Sequence, residues 1–247
     1  VLKSLILSVI IKNILFYYLF SLLIPSIWAQ NSGVEKQVRN NVYVLSSFYP
    51  RQNHIIQVQG SHVFQIRKSR LYAGLGVHVN RFQANKPRLE PSSRILRNYQ
   101  QIDTLGTNQI RVWNTGVFFV ARVYLSSRVY FSIQTDIAGV SAGNSYTFQY
   151  TTYFNPDLYS NFQDARPTLS GFRNPLFRNI GSLSSQVWCM VRPFRNLEAG
   201  VGYVRMRTEY TSSMLLNFRN DRFMLRSDMI CFRMGWFFQR EFNGNGN

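Results

Sequence analysis

Between Gln109 and Gly143 apolar and polar residues alternate with a period of two along two long segments, with a short turn at Ser126-Ser127 between them. On the first segment Val117, Phe119, Ala121, Val123 and Leu125 share one face, against Asn114, Gly116, Arg122 and Tyr124. On the second, Val129, Phe131, Ile133, Thr135 and Ile137 oppose Arg128, Tyr130, Ser132, Gln134 and Asp136. Successive side chains of a strand point to opposite faces, so the pattern predicts a hairpin with one apolar and one polar face. Its arms are longer than the ~5 to 6 residues usual in soluble domains and reach the ~9 to 11 of a strand tilted through a bilayer. In an outer-membrane barrel the apolar face would meet lipid. In a soluble lipocalin-like barrel the same face would point inward, and periodicity alone leaves both readings open.

The same alternation recurs along the chain. Glu35 to Leu45 reads as a first strand with Val38, Val42 and Val44 on one face. Ile55 to Arg67 reads as a second, with Ile56, Val58, Phe64 and Ile66 opposed to Gln57, Gln59, Ser61 and Gln65. Gly60 and His62 fall on its apolar face, which suggests a bulge or a local change of register. After a tight connection at Lys68-Ser69, Leu71, Ala73, Leu75, Val77 and Val79 alternate with Tyr72, Gly74, Gly76, His78 and Asn80. Ser185 to Arg192, Leu197 to Tyr210 and Arg222 to Phe238 complete the set, the first two joined by a short turn at Pro193 to Asn196.

That makes eight strands. Three connections are tight, while 83–108 and 144–184 are long, polar and rich in Pro, Arg and aromatic residues. Short turns on one side and long loops on the other, with an even strand count, are the signature of an up-and-down outer-membrane barrel. A ten-stranded version stays open if 144–184 hides a hairpin, although no tight turn signal marks one.

The N-terminus sharpens the picture. Lys3 and Lys12 precede an apolar run from Ile14 to Ile24, then Pro25 and Ile27-Trp28-Ala29. This predicts a signal peptide over residues 1–29 and a barrel domain over 30–247. A membrane anchor is the alternative, but the run is shorter than the ~20 residues a spanning helix needs. No comparable apolar run follows, so any span would be made of strands.

The last strand carries Ile230, Phe232, Met234, Trp236 and Phe238 on its apolar face, an aromatic end suited to an interfacial girdle. Val117 to Tyr130 (VFFVARVYLSSRVY), Val191 to Tyr203 (VRPFRNLEAGVGY) and Met234 to Phe238 (MGWFF) resemble small outer-membrane β-barrel proteins common in Bacteroidota. The resemblance implies an all-β fold, an eight-stranded antiparallel transmembrane barrel, and a place in the outer membrane of a Gram-negative cell. It implies no catalytic residue.

Charge narrows the partners. The chain has 28 Lys and Arg against 11 Asp and Glu, a formal net charge of +17, and 23 of the 28 are Arg. Such an excess suits nucleic acid, but an exported chain with scattered arginines points to phosphate-bearing lipid instead. Guanidinium groups bind phosphate bidentately, and Arg205, Arg207, Arg222 and Arg226 near the outer rim are the candidate contacts with lipopolysaccharide phosphates; ordinary rim charge is the alternative. The loops, with Arg88, Arg94, Arg97, Arg166, Arg173 and Arg178 among aromatic residues, are candidate surfaces for an envelope protein.

If the apolar faces meet lipid, the interior receives Gln57, Gln59, Gln65, Tyr72, His78, Asn80, Arg122, Tyr130, Gln134, Asp136, Glu198 and Arg233. An eight-stranded barrel is just wide enough to be filled by side chains. Buried charges need partners, so Arg122 and Arg233 are expected to pair with Asp136 and Glu198, within a polar network that includes Tyr130 and His78. A narrow conducting pore is the alternative. Gly74 and Gly76, and Gly200 and Gly202, would make room inside for Tyr72, Tyr130 or Arg122. Lipid A deacylases and acyltransferases built on such barrels use His and Ser, yet His54, His62 and His78 have no evident Ser and acid partners here, so no catalytic site, cofactor or metal is expected. Cys189 and Cys231 fall on strands separated by a third, too far apart for a disulfide, and are expected to be free, buried thiols. The reading is an envelope protein with a structural or interaction role, with a small-solute pore, a lipid-modifying enzyme and a soluble binder as alternatives.

Overall fold

The structure, a computed structural model, describes residues 38–49, 52–66, 69–92, 103–152, 161–173, 180–194 and 196–240. The expected signal peptide and Arg94, Arg97 and Arg178 lie outside them. Residues 38–240 form one unit, and its strands in chain order are β1 (Val38–Tyr49), β2 (Asn53–Gln65), β3 (Leu71–Asn85), β4 (Arg88–Pro91), β5 (Thr104–Gly106), β6 (Gln109–Tyr124) and β7 (Val129–Ala142). After these come β8 (Tyr146–Thr151), β9 (Phe162–Pro167), β10 (Ser170–Phe172), β11 (Leu183–Phe194), β12 (Leu197–Leu216) and β13 (Asn220–Arg240).

All thirteen belong to one antiparallel sheet. The eight long strands pair in a closed cycle, β1 with β2, then β3, β6, β7, β11, β12 and β13, which returns to β1. Closure removes the unpaired edges that an open sheet would present. The alternation seen in the sequence fixes which way each strand faces, because a slip of one residue would turn every side chain over. Val42, Val44, Ile56, Val58, Leu71, Leu75, Val117, Phe119, Val123, Phe131, Ile133, Val187, Val201, Phe232 and Trp236 are all exposed on the outer face. Gln57, Gln59, His78, Asn80, Arg122, Gln134, Gln186, Glu198 and Arg233 are buried inside.

Two local departures differ from the sequence reading. No bulge occurs at Gly60 or His62: β2 keeps unbroken register with both β1 and β3 there, and the imidazole Nδ1 of His62 is satisfied on the outer face by Asn40 Oδ1 at 2.7 Å. The bulge lies instead on β7, where Val117 faces Ala138 and Phe118 faces Asp136, leaving Ile137 with no residue opposite it on β6. It lets Ile137 and Ala138 both lie outside while Asp136 points in.

The long connections are not irregular loops throughout. β4 and β5 lie within 83–108, and β8, β9 and β10 within 144–184. A hairpin is therefore present in the second connection, but it does not enter the eight-strand cycle. β12 and β13, of 20 and 21 residues, continue past the expected ends at Tyr210 and Arg222, because their pairing runs on to Thr211 opposite Arg222 and turns only at Asn217–Arg219. Their extended ends pair with β9 and β4, and a second, smaller cycle closes through β12, β13, β4, β5, β8 and β9. β10 pairs with the end of β7. The second cycle has its own apolar filling of Leu89, Leu105, Phe148, Ala165, Tyr210 and Phe223, with Phe148 and Tyr210 edge to face at 5.4 Å between centroids.

Candidate functional site

The interior of the long-strand cycle is stacked in layers. Nearest the tight turns, Glu198 is fully buried and is the hub of its layer. It accepts hydrogen bonds from Asn41 Nδ2 (2.9 Å), from Tyr130 OH (2.8 Å) and from Tyr43 OH, and it forms an ion pair with Arg192 at 2.8 Å. Arg39 lies over the rings of Tyr72 and Tyr124 at 4.3 and 4.4 Å, and Arg192 over Phe237 at 3.8 Å. Charges taken out of water are tolerated here because each is hydrogen-bonded or stacked.

The expected pairing of Arg122 and Arg233 with Asp136 and Glu198 is not what forms. Arg122 donates to Asn41 Oδ1 (2.6 Å) and Ser61 Oγ (2.7 Å). Asp136 accepts from His78 Nε2 (3.0 Å) and from the backbone N–H of Ser184 (2.6 Å). Glu198 takes Arg192, which sits across the tight turn from it and so reaches it at little cost in chain order. Arg233 meets no carboxylate among the described residues. Its guanidinium lies between two rings, 4.3 Å from the centroid of Tyr43 and 4.4 Å from that of Trp188, and its three nitrogens are buried with no acceptor among the described residues.

Above this layer a ladder of amides crosses the lumen. Trp188 Nε1 donates to Gln186 Oε1 (3.0 Å), Gln57 Nε2 to Gln59 Oε1 (2.6 Å), and Gln59 Nε2 to Gln134 Oε1 (3.2 Å). His78 belongs to it as well: the amide of Asn80 donates to Nδ1 at 3.2 Å, which leaves the ring proton on Nε2 toward Asp136. No serine hydroxyl meets this imidazole among the described residues. The layer nearest the second cycle is apolar, with Ile55, Phe82, Ile110, Val112, Val204 and Met206 fully or almost fully buried.

The interior glycines do make room, but for other neighbours than Tyr72, Tyr130 or Arg122. A Cβ at Gly202 would fall 2.4 Å from the Trp188 ring, and one at Gly76 would fall 2.3 Å from the ring of Phe118. Both cysteines are free, as expected, but only Cys231 is buried; Cys189 is exposed on the outer face, because β11 turns it outward between Val187 and Val191.

The four rim arginines share the outer face of the long hairpin, just beyond Tyr203 and Ile230. Arg205 is paired with Asp228 at 2.8 Å, and that hydrogen bond holds the Asp228 carboxyl below the ordinary aspartate range. Arg207 and Arg222 both pair with the buried Glu209, the latter at 2.6 Å, and Arg207 also donates to Ser92 Oγ at 2.8 Å. Arg226 is exposed and has no carboxylate partner among the described residues.

Tyr43, Asn41, Arg192, Trp188 and Glu209 were not among the sequence candidates. Period-two counting does put the first four inside. Glu209 could not have been found that way, because it counts as outward facing and is covered by the second cycle.

No protein-family model matches the chain, and no curated protein is similar to it. Among solved structures it is similar to neisserial surface protein A, at 10% identity, 83% of this chain, 97% of that one and a TM-score of 0.33. It is likewise similar to Ail, the attachment invasion locus protein of Yersinia pestis (8%, 83%, 98% and 0.34), and to a major outer membrane protein from Thermus thermophilus (9%, 82%, 99% and 0.35). Likenesses this distant carry no argument about function.

Proposed function

We propose that the chain is an integral outer-membrane protein whose eight long strands span the bilayer, with a structural or interaction role in the envelope. The observation that carries this is the inversion of the barrel: exposed aliphatic and aromatic side chains outside, and buried, hydrogen-bonded polar side chains inside. A soluble barrel would have the opposite arrangement, since an exposed apolar band this wide drives association in water. Outward apolar residues run from Leu71 to Val79 on β3 and from Trp113 to Val123 on β6, matching the ~9 to 11 residues a tilted strand needs. The strand and turn patterns shared with small barrels of Bacteroidota agree with this reading.

A structural or interaction role is favoured over a pore because Tyr43, Arg122, Tyr130, Trp188, Glu198 and Arg233 fill the lumen at or near zero exposure. The reading is also non-enzymatic, since the His78 imidazole is buried with both ring nitrogens taken by Asp136 and Asn80 and meets no serine hydroxyl among the described residues. The partners we propose are outer-leaflet lipid, including lipopolysaccharide phosphates at Arg205, Arg207, Arg222 and Arg226, and an envelope protein meeting the surface built from 83–108 and 144–184. The test is gel migration of unheated and boiled protein extracted from purified outer membranes. A heat-dependent shift is expected. Recovery in the soluble periplasmic fraction with no shift would refute the reading.

A further inference from the structure

The rim arginines on β12 and β13 are largely neutralised: two carboxylates, Asp228 and Glu209, engage three of the four. A different flank of the barrel has no such compensation. On β3 and β6, just beyond the apolar run that ends at Val79 and Thr115, Arg81 faces Trp113 and Gln83 faces Arg111. Trp113 is 42% exposed on the outer face, and the Arg81 guanidinium carbon lies 5.9 Å from its ring centroid. Arg111 is exposed. Neither arginine has a carboxylate within ion-pair distance among the described residues.

Register makes Arg81 and Arg111 diagonal neighbours on one face of an antiparallel pair, about 7 to 8 Å apart and within reach of each other's side-chain ends. Two guanidinium forks at that spacing can converge on one phosphate, and each charge-assisted hydrogen bond is stronger than a neutral one. Trp113 marks the depth, since its amphipathic ring suits the boundary between hydrocarbon and headgroup. Ile56 pairs with Arg81 on the other side, so Arg81 is bordered by apolar surface at its own level on β2.

We infer that Arg81, Arg111 and Trp113 form a binding site for the phosphorylated headgroup of an outer-leaflet lipid whose acyl chains lie along β3 and β6. The inference rests on the membrane reading above and deepens it by moving the principal phosphate contact from the β12–β13 rim to this flank. Pairing decides between the two: at the β12–β13 rim only Arg226 is without a carboxylate among the described residues, so a phosphate there meets one uncompensated guanidinium, and at Arg81 and Arg111 it meets two.

The test uses the full chain inserted into phosphatidylcholine vesicles containing either bisphosphorylated lipid A or the same lipid A stripped of phosphate. The readout is lipid retained per barrel after mild detergent extraction, at low and high salt. The parent protein is expected to retain the phosphorylated form at least about tenfold better, roughly what one well-made charged hydrogen bond supplies. Arg81→Gln with Arg111→Gln is expected to abolish most of that preference, Arg111→Gln alone to reduce it, and Arg128→Gln, at an exposed position beside the tight turn between β6 and β7, to leave it nearly unchanged. Insertion of each variant is verified by its heat-dependent gel shift. If the double variant inserts and keeps the parent preference, the site is overturned and the membrane reading stands. If the parent itself does not insert, both are overturned.

Discussion

Arg233 stacks on Trp188, its guanidinium carbon 4.4 Å from the ring centroid, with Tyr43 on its other side at 4.3 Å. A fully buried cation held by two rings and no acceptor gains about 2 kcal/mol from each ring at best and loses several kcal/mol in desolvation. The two nearly cancel. Arg233→Met should therefore change the stability of the inserted barrel by no more than about 2 kcal/mol, measured by urea unfolding in vesicles. A loss as large as that from removing a paired charge would show that Arg233 has an acceptor.

Glu198 is the contrasting case. Glu198→Gln leaves the Arg192 guanidinium, half-covered by Phe237, without its carboxylate and weakens the bonds from Tyr43, Tyr130 and Asn41. Breaking one side of a buried pair costs about 3 to 5 kcal/mol, so this variant should unfold at much lower urea than Arg233→Met. Arg192→Met combined with it should recover part of the loss, and strict additivity in that cycle would argue that the two side chains do not interact.

The two thiols report which face meets lipid. Cys189 is exposed on the outer face and Cys231 is buried inside. In intact vesicles a membrane-soluble maleimide should label Cys189 and spare Cys231, and a charged, impermeant thiol reagent should label neither. Rapid labelling of Cys189 by the charged reagent would mean that this face is in water.

Asp228 supplies a pH dependence. Its carboxyl is held below the usual range by Arg205, so the pair is intact above the ordinary aspartate value of about 4 and is lost as pH falls through the lowered one. Acid then frees Arg205 and raises the local positive charge by one. Retention of anionic lipid at this rim should accordingly rise at acid pH, and Asp228→Asn should show the raised level at neutral pH. A flat profile that is identical in the variant would exclude Arg205 from any headgroup contact.

A packed lumen should also conduct little. Planar bilayers containing the purified barrel are expected to show no steady ion current above background. Reproducible unit steps would require the Glu198 layer to move and would revive the pore reading.

The long strands, their tight turns and the division of each strand's residues between two faces were legible because they follow from local alternation. The apolar set keeps to one face for nine residues, from Val117 to Leu125 and from Leu71 to Val79. The same counting grouped Arg122, His78, Asp136, Glu198 and Arg233 on the polar faces, and put them inside only once the apolar faces were taken as the outer ones.

Partner choice within the lumen was not legible, because it depends on how far each long side chain reaches across a closed ring. Asn41 and Ser61 took Arg122, the turn partner Arg192 took Glu198, and Arg233 was left to Tyr43 and Trp188. The second cycle was hidden for a related reason. β4, β5 and β10 have only three or four residues each, too few to show a period, and each is a strand only through its neighbours: β4 pairs with β13 and β5, β5 with β4 and β8, and β10 with the end of β7. By itself, then, the sequence determined which residues share a face, because that is a local property of an extended backbone. The tertiary structure decided which of those residues meet, because contact across a closed barrel depends on register and reach rather than on position in the chain.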